Sequence, residues 1–298
     1  MDRSIHLLAL VEGSITRVTC GQRGDDSVVA RAIAHHLRAG GGRIRARICL
    51  HASQQLGLLD DTAVLLGAAC ELIHNASLVQ DDVFDRETSR RGVASVWRLF
   101  GETVAVCAGD LMLSAAFAIL TELPDATLIA PSIQLAFRLT KSVIVSQGTE
   151  KNAMPLTLAA YEAVAINKSA SLLTLPLHLP LMVSGHGSSM ALAQRVTESF
   201  AVAYQIIDDL EDYSQDQQVG ALNVLSVLRD SDALDLNHAR ALAAERAVEL
   251  LQQSIEQAME LPRDCSAVLV SHARKMLKDI EANSRNLSAK TGNLQYVG

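Results

Sequence analysis

The sequence predicts an all-α protein that folds as one domain spanning residues 1–298. Hydrophobic residues make up 49% of the chain but aromatic residues only 3%, and the abundant Ala and Leu favour helices over strands. Long segments repeat apolar residues at intervals of three and four, the period of a helix with one buried face. No tract has the composition of a linker, and no repeat of fixed period occurs. This composition suits buried helices or an apolar cavity.

The predicted helices follow one another along most of the chain. A short amphipathic helix ends at a glycine run, and Pro262 with Asp264 marks the start of the last helix. Pro176 and Pro180 are expected to kink or break the helix that contains them. Residues 1–25 are ambiguous. Helices are predicted over residues 27–38, 61–82, 101–121, 126–147, 157–185, 189–213, 234–260 and 264–283.

Charge and cysteine usage narrow the class of protein. The formal net charge of −7 argues against a general nucleic-acid binder, so an anionic ligand must be held by local cations. The five cysteines are scattered without a CxxC pair, which is typical of buried free thiols in a reducing cytoplasm. Neither a signal peptide nor an uninterrupted apolar run of spanning length is visible. We therefore expect a cytoplasmic protein with no membrane span.

A cluster of carboxylates ends the helix predicted over residues 61–82. Asp81 and Asp85 are four residues apart, so on a helix they project from the same face, with Asp82 beside them. Such carboxylates repel each other unless a cation neutralises them. Mg²⁺ takes one or two protein carboxylates and completes its shell with water and substrate phosphate. For this motif alone, a solvated helix end is the alternative interpretation.

The same acidic motif occurs a second time. Asp208, Asp209 and Asp212 end the helix predicted over residues 189–213, where negative charge opposes the helix dipole. Because this unfavourable arrangement occurs twice, a bound cation explains it better than chance does. The candidate metal ligands are therefore Asp81, Asp82, Asp85, Asp208, Asp209 and Asp212, with Mg²⁺ as the expected metal and Mn²⁺ as the alternative.

Basic residues flank the first acidic motif. Arg90 and Arg91 follow it, and Arg45 follows the glycine run; guanidinium groups match the geometry of phosphate. His74 lies about two turns before the first carboxylate, on nearly the same face. Lys168 is an unusual charge in an apolar stretch. The alternatives are a solvated helix start at the glycine run, a packed core residue at His74 and a snorkelling lysine.

Together these features favour diphosphate chemistry. Two acidic helix ends across an apolar cavity can hold Mg²⁺ ions that bind a diphosphate and stabilise it as a leaving group. Apolar walls would hold a hydrocarbon tail and exclude water from a carbocation. No Ser-His-Asp set, P-loop or GxGxxG motif indicates other chemistry. An allylic diphosphate is the predicted substrate.

The ordered motifs resemble those of the trans-isoprenyl diphosphate synthases, the polyprenyl synthetase family. The resemblance covers residues 38–213, and more loosely the rest of the chain. It implies a helical bundle around a deep central apolar cavity, of the isoprenoid synthase type, that assembles as a homodimer. The matching segments are Gly40–Arg45, His74–Asp85, Arg90–Gly92, Ala108–Asp110, Gln147, Lys168–Ser169 and Tyr204–Asp209.

The resemblance also implies roles for residues at the allylic diphosphate. Asp81, Asp85 and Asp208 would ligate Mg²⁺ there, with the other aspartates of the two motifs in support. Arg90 and Lys168 would contact the diphosphate, and the lysine would also stabilise the cation. These are the five candidate catalytic residues.

The acceptor is expected to be isopentenyl diphosphate. The resemblance implies that Arg45, His74 and Arg91 bind it, that Gln205 lies near the allylic diphosphate, and that Ser169 stands where the family has Thr. The reaction would be ionisation, attack by the isopentenyl double bond and proton loss.

Two departures concern the acceptor and the lid. Gly42 stands where the family has Lys and Ala46 where it has Pro, which is expected to weaken the acceptor site unless Arg43 or Arg47 compensates. Residues 217–224 lack the lysines that the family carries after the second acidic motif. Ionisation is therefore expected to be intact, with acceptor binding and lid closure in question.

Small residues before the first acidic motif bear on product length. In the family, bulky residues there stop the growing chain, whereas Ala76 and Ser77 leave the tunnel open. A product of geranylgeranyl length or longer is expected.

The leading interpretation is thus an Mg-dependent prenyltransferase that makes a trans-polyprenyl diphosphate. Gly42 motivates a second one, a relative that ionises an allylic diphosphate without ordinary elongation: a terpene cyclase, a lyase or a prenyltransferase with another acceptor. A third is a non-catalytic partner subunit, against which two complete acidic motifs argue. A helical metal-binding protein unrelated to prenyl chemistry is the remote alternative.

Overall fold

The computed structural model describes residues 3–21, 26–149 and 157–292, apart from the side chains of residues 148, 149, 168, 169, 219, 232, 281 and 283–292. Almost all of this part is helical, so the all-α prediction is confirmed. The helices are α1 Arg3–Cys20, α2 Val28–Arg38, α3 Ile44–Gln55, α4 Asp60–Phe84, α5 Val96–Phe100, α6 Glu102–Leu120, α7 Ala126–Thr149, α8 Leu158–Ala165, α9 Ser171–Val183, α10 Met190–Val219, α11 Val224–Asp232, α12 Leu236–Ala258 and α13 Ala267–Gly292.

The chain divides into two compact units. The first comprises Met1–Lys141 with Leu175–Met190, and the second comprises Ser142–Thr174 with Ala191–Gly298. The expectation of a single domain around a deep central cavity stays a prediction.

Helix α4 forms the centre of the first unit. It packs against α6 and α3, and less extensively against α1. Its residues 62–73 are buried without interruption, so this stretch is enclosed on all sides, as expected of a core helix. Helix α6 lies close to the C-terminal end of α4 because Gly109 of α6 has no side chain. A Cβ at position 109 would lie 3.0 Å from Cγ of Gln80 in α4. This contact fixes the helix end that carries the first acidic motif.

A short hairpin follows α4. Strand β1 (Ser89–Arg90) pairs antiparallel with β2 (Val93–Ala94), with Arg90 opposite Val93. The two residues between the strands both have positive φ, +52° at Arg91 and +78° at Gly92, as in a type I′ turn. The hairpin places Arg90 and Arg91 at fixed positions after the first acidic motif.

Helix α10 dominates the second unit. Thr197 in its first half shares a hydrogen bond of 2.6 Å with Thr174, and Val196 accepts one of 2.9 Å from Ser254 of α12. Helix α12 also packs against α13. These contacts hold α10 over the half that precedes the second acidic motif.

Several predicted helix boundaries are wrong. Helix α9 continues through both Pro176 and Pro180, and the irregularity lies earlier, in the π-helical turn Ile166–Ala170. Helix α10 continues to Val219, well past the second acidic motif. Pro262–Asp264 forms a 3₁₀ turn, and α13 starts only at Ala267. Proline effects and helix ends depend on neighbouring contacts, which a sequence pattern does not contain.

Three helices are long and apolar enough to cross a membrane, by length and composition alone. They are Asp60–Phe84, Glu102–Leu120 and Ala126–Gln147, of whose apolar stretches 78%, 44% and 28% are buried. The expected absence of a membrane span is therefore not confirmed.

Candidate functional site

The first acidic motif lies at the C-terminal end of α4. Asp85 is the C-cap residue, and its backbone N–H donates to the carbonyl of Asp81 at 2.8 Å. The two aspartates are therefore on consecutive turns, as their spacing predicts. Asp81 is half-buried and Asp85 is exposed.

Asp82 differs from its two neighbours because its carboxylate is bound inside the protein. Its side chain is 0% exposed. Oδ1 accepts a hydrogen bond from Nε of Arg90 at 2.7 Å, and Nη2 of the same guanidinium lies 2.5 Å from it as an ion pair. The other oxygen, Oδ2, is buried and has no hydrogen-bond partner among the described residues. The guanidinium of Arg90 keeps further N–H donors for an anion, since an arginine carries five. Metal binding by Asp82 and diphosphate binding by Arg90 stay predictions.

Arg91 reaches across to the glycine loop that precedes α3. Its Nη1 donates to the carbonyl of Gly40, and a Cβ on Gly41 would lie 2.6 Å from its Cζ. A side chain at position 41 would therefore displace this guanidinium, and the φ of +127° at Gly41 would strain any other residue there. Burial, together with the charges of Arg43 and Arg90, lowers the pKa of Arg91 from its ordinary value.

Arg45 and His74 form a direct pair. Nη1 of Arg45 lies 3.0 Å from Nε2 of His74. Because a guanidinium only donates, Nε2 accepts and the ring hydrogen sits on Nδ1. Burial, and then the charges of Arg45 and Arg91, hold the pKa of His74 well below its usual range, so the ring is neutral. Its Nδ1 is buried and has no hydrogen-bond partner within the described ranges.

His36 marks the inner edge of the same cationic region. Burial lowers its pKa to about 4, against the hydrogen bond with Asn75, and the charges of Arg91, Arg90 and Arg43 lower it further. The charges of Arg90 and Arg43 act on both His36 and Arg91, so these basic groups lie in one neighbourhood. A bound anion would stabilise this arrangement.

Both arginines expected to replace the missing lysine already donate hydrogen bonds to other groups in this arrangement. Arg43 donates from Nε to Glu12 at 3.1 Å and from Nη2 to the carbonyl of Leu37 at 2.9 Å. Nε of Arg47 donates to the carbonyl of Gly42 at 2.9 Å. The predicted compensation at Gly42 thus gains no support from these contacts.

The second acidic motif lies within α10, so the prediction that it ends its helix is wrong. Asp208 and Asp212 are exposed. Partial burial raises the pKa of Asp208, and the carboxylates of Asp212 and Asp209 raise it further. This local excess of negative charge is what a cation would neutralise.

Asp209 is buried and fully bonded to protein donors. Its Oδ1 accepts from Nε2 of Gln205 at 2.9 Å, and its Oδ2 accepts from the hydroxyl of Tyr161 at 2.8 Å and the N–H of Val224 at 2.7 Å. Asn223 donates to the carbonyl of Asp209 at 2.8 Å. Burial raises the pKa of Asp209, and the Gln205 hydrogen bond opposes this shift. Asp209 therefore connects α10 with α8 and with the start of α11. Metal binding by Asp209 stays a prediction.

Sequence reasoning missed Tyr161 and Asn223. Asn223 is the N-cap of α11, and its Oδ1 accepts from Leu225 at 2.9 Å. An Asn before an apolar run is a helix-start signal and could have been recognised. Tyr161 lies in a short apolar helix, and no sequence signal separates it from a core residue.

The carboxylates of the two motifs are suitable ligands for a divalent cation by their chemistry, but among the described residues they are not arranged as a ready-made metal site. No group of three His, Cys, Asp or Glu side chains is placed to hold a metal in the described part of the chain. However, the buried Oδ2 of Asp82 lacks a partner, and Asp208 stands among like charges. Carboxylate oxygens of this kind are ligands for Mg²⁺, which supplements them with water and phosphate.

The remaining predicted residues are placed only in part. Lys168 and Ser169 lie in the π-helical turn, a feature frequent at functional sites, but their side chains lie outside the described part of the structure. Ala76 is 2% exposed, and the hydroxyl of Ser77 donates to the carbonyl of His74 at 2.8 Å. Their roles stay predictions.

The described residues thus form a helical protein in which aspartates lie one turn apart and arginines surround a neutral histidine. The family model for polyprenyl synthetase matches residues 26–223, most of the chain. The chain belongs to the polyprenyl synthetase family of prenyltransferases.

Curated relatives agree with this family, and a solved structure shares the fold. The farnesyl diphosphate synthase of Geobacillus stearothermophilus is 35% identical over 199 residues, 61% of this chain and 65% of that protein, so the match spans just under two thirds of that relative. Geranylgeranyl pyrophosphate synthase 11 of Arabidopsis thaliana is 28% identical, covering 82% of this chain and 73% of its own length. The geranylgeranyl pyrophosphate synthetase structure from Geoglobus acetivorans has a TM-score of 0.81 at 22% identity, covering 93% of this chain and 98% of that one.

Proposed function

We propose that the protein condenses an allylic diphosphate with isopentenyl diphosphate to give a trans-polyprenyl diphosphate. The observation that carries this proposal is the neutral His74, whose buried Nδ1–H has no partner among the described residues, beside Arg45 in a cluster of guanidiniums. A neutral donor next to fixed cations suits the diphosphate of the acceptor. Membership in the family of prenyltransferases supports the reaction class.

Within this proposal the aspartates serve the allylic diphosphate. Asp81 and Asp85 of the first motif, and Asp208 of the second, would hold Mg²⁺, with Asp212 in support. Bound Mg²⁺ supplies positive charge that stabilises the departing diphosphate. Arg90, held by Asp82, would add donors to the same anion.

The acceptor side needs no metal. Arg45 and Arg91 would bind the isopentenyl diphosphate, and His74 would donate from Nδ1. Because the ring of His74 is neutral over the physiological range, it orients the anion without adding charge. Proton loss to the released diphosphate would complete the reaction.

We propose a product of geranylgeranyl length or longer. The small side chains of Ala76 and Ser77, which precede the first acidic motif, support it, since they would not block a growing chain as bulky residues would. Relatives are named as farnesyl, geranylgeranyl and octaprenyl diphosphate synthases, so the family membership allows all three lengths.

We propose a homodimer in the cytoplasm. The exposed apolar side chains of Val106 on α6 and of Phe137 and Ile144 on α7 support association with a second copy. All five cysteines are free thiols, which suits a reducing compartment. Sedimentation equilibrium tests the dimer: a mass of one chain across the concentration range would contradict it.

The test of the reaction is product analysis by mass spectrometry. The purified protein is given farnesyl diphosphate and Mg²⁺, with and without isopentenyl diphosphate. A product longer by five carbons that requires the second substrate supports elongation. A product that forms without it supports the alternative, ionisation without elongation, which the engaged Arg43 and Arg47 beside Gly42 favour.

The non-catalytic subunit remains a separate outcome of the same assay. It predicts no product from any allylic diphosphate, and biological effects that survive the substitution Asp81→Ala. Activity in the intact protein that Asp81→Ala abolishes excludes it.

A further inference from the structure

A buried carboxylate binds the first turn of α3, next to the acceptor site. The backbone N–H of Ala46 donates to Oε1 of Glu71 at 3.0 Å, and the two residues are 0% and 2% exposed. First-turn N–H groups have no partner within their own helix. The N-cap residue Arg43 makes no capping bond with its side chain, so a residue of α4 supplies an acceptor instead.

Glu71 is itself held by a second buried residue. Asn75 donates from Nδ2 to the carbonyl of Glu71 at 2.7 Å and to Oε2 at 3.3 Å. Both contacts use the amide nitrogen, so Oδ1 of Asn75 is the acceptor for Nε2 of His36 at 2.9 Å. The chain of contacts therefore runs from α2 through α4 to α3. Every side-chain group in it is buried and paired, which fixes one arrangement.

This chain of contacts lies beside the pair that binds the anion in the proposed function. Arg45 precedes Ala46 in α3, and His74 follows Glu71 by three residues in α4. The Arg45–His74 contact of 3.0 Å and the Ala46–Glu71 contact of 3.0 Å thus join the same two helices about one turn apart. Displacing the first turn of α3 would displace the guanidinium that it carries.

Two possible roles of Glu71 predict opposite changes in anion affinity when its negative charge is removed. A buried negative charge in a cationic region weakens the binding of an anion by simple electrostatics. Removing it would then tighten binding. If instead Glu71 fixes the first turn of α3, removing its acceptor oxygen loosens binding in spite of the gain in net positive charge.

We propose that Glu71 is a positioning residue for the acceptor diphosphate, which it serves by fixing the first turn of α3 so that Arg45 and His74 present their donors together. The identity of the acceptor rests on the proposed function, but the anion site does not. Glutamine at position 71 keeps an oxygen for the N–H of Ala46, whereas methionine of similar length leaves that N–H without an acceptor.

The experiment is titration calorimetry with inorganic diphosphate in the presence of EDTA, so that divalent cations play no part. We expect Glu71→Met to weaken binding about tenfold and Glu71→Gln to stay within about threefold of the parent protein. Arg45→Gln locates the site and is expected to weaken binding strongly. Tyr161→Phe, which removes a buried hydrogen bond elsewhere, is the control for general destabilisation and is expected to leave affinity unchanged.

Circular dichroism at the assay temperature confirms that each variant is folded. A folded Glu71→Met that binds diphosphate as tightly as the parent, or more tightly, overturns the proposal, as does an affinity that Arg45→Gln leaves unchanged. In steady-state assays Glu71→Met is expected to raise KM for isopentenyl diphosphate and leave KM for the allylic substrate within twofold. The protein could show the expected diphosphate affinities in all variants and yet make no elongated product. That result would refute the proposed function and support the positioning role of Glu71.

Discussion

Arg90 donates a hydrogen bond from Nε to Oδ1 of the buried Asp82 at 2.7 Å, and its Nη2 lies 2.5 Å from the same oxygen, so the two side chains form a buried ion pair. Removing one partner of a buried ion pair leaves an uncompensated charge and costs about 3–5 kcal/mol. Because Arg90 retains 26% exposure, we expect Asp82→Ala to lower the free energy of unfolding by about 3 kcal/mol, near the bottom of that range. Urea denaturation measures it.

The matched control is an exposed pair a few residues away. Nη1 of Arg86 lies 3.0 Å from Oε2 of Glu102, and both side chains are more than half exposed. Glu102→Gln is expected to change the free energy of unfolding by less than about 1 kcal/mol. Equal losses in the two variants would show that the burial of Asp82 does not set the strength of its pair with Arg90.

The buried hydroxyl of Tyr161 provides a second stability test. It donates to Asp209 at 2.8 Å, and its removal takes one hydrogen bond from a buried carboxylate. Hydrogen bonds to charged groups contribute about 1.5–3 kcal/mol, so Tyr161→Phe is expected to destabilise the protein by that amount. Thr16→Val, which removes an exposed hydroxyl that donates to the carbonyl of Glu12 at 2.9 Å, should change stability by no more than about 0.5 kcal/mol. A Tyr161→Phe loss as small as that of the control contradicts the anchoring of Asp209.

The sequence predicted the helices and the spacing of the aspartates because both follow from local periodicity. It also brought together Arg45, His74 and Arg91, through the resemblance. It did not separate Asp82 and Asp209 from their less buried neighbours, because adjacent aspartates look alike until the donors around them are known. Those donors come from distant positions: Tyr161 lies 48 residues before Asp209 in the chain.

Position 46 is a second example of a contact that the sequence does not contain. The sequence shows only that an alanine replaces the proline of the family, whereas the fold shows that the N–H of Ala46 donates to Glu71. Helix α10 likewise continues past its acidic motif, and Asn223 at the start of α11 donates to the carbonyl of Asp209 and to the carboxylate of Asp216 in that continuation.

The neutral His36 makes stability depend on pH. Its pKa is about 4 in the folded protein and about 6.5 when unfolded, so the unfolded state binds the proton first as the pH falls. The contribution of the neutral ring is fully present above pH 6.5 and is lost as the pH falls from there toward 4. The loss is up to about 3 kcal/mol, since each pKa unit corresponds to about 1.4 kcal/mol.

The measurement is urea denaturation at pH 7.0, 5.5 and 4.5, with His36→Gln as the comparison. The variant is expected to lose less stability than the parent between pH 7.0 and 4.5. It should retain some dependence on pH, because the pKa of His74 is lowered in the same direction. Parallel curves for the two proteins would show that His36 titrates normally in the folded state.

Product length tests the side chains that precede the first acidic motif. We expect Ser77→Phe and Ala76→Phe to shorten the product by at least one isoprene unit, because a phenyl ring fills space that a methyl or hydroxymethyl group leaves open. Ser77 is half-buried and tolerates the change better than the buried Ala76. Ala118→Phe, at an exposed position of α6, is the control. A distribution of products that is the same in all variants excludes a tunnel wall at residues 76 and 77.

The carboxylates of the first acidic motif differ in burial, which predicts different consequences for metal use. Asp85 is exposed and Asp81 half-buried, whereas Asp82 is bound to Arg90. If Asp81 and Asp85 hold Mg²⁺, Asp81→Asn and Asp85→Asn each remove a ligand charge. The Mg²⁺ concentration at half-maximal activity should then rise at least tenfold, while the free energy of unfolding without metal stays within about 1 kcal/mol. Asp82→Asn should instead lower the free energy of unfolding while it changes the Mg²⁺ requirement little.

EDTA should abolish activity in the parent protein, and added Mg²⁺ should restore it. An unchanged Mg²⁺ requirement in both Asp81→Asn and Asp85→Asn would remove these two residues from the metal site and leave the second motif as its remaining candidate.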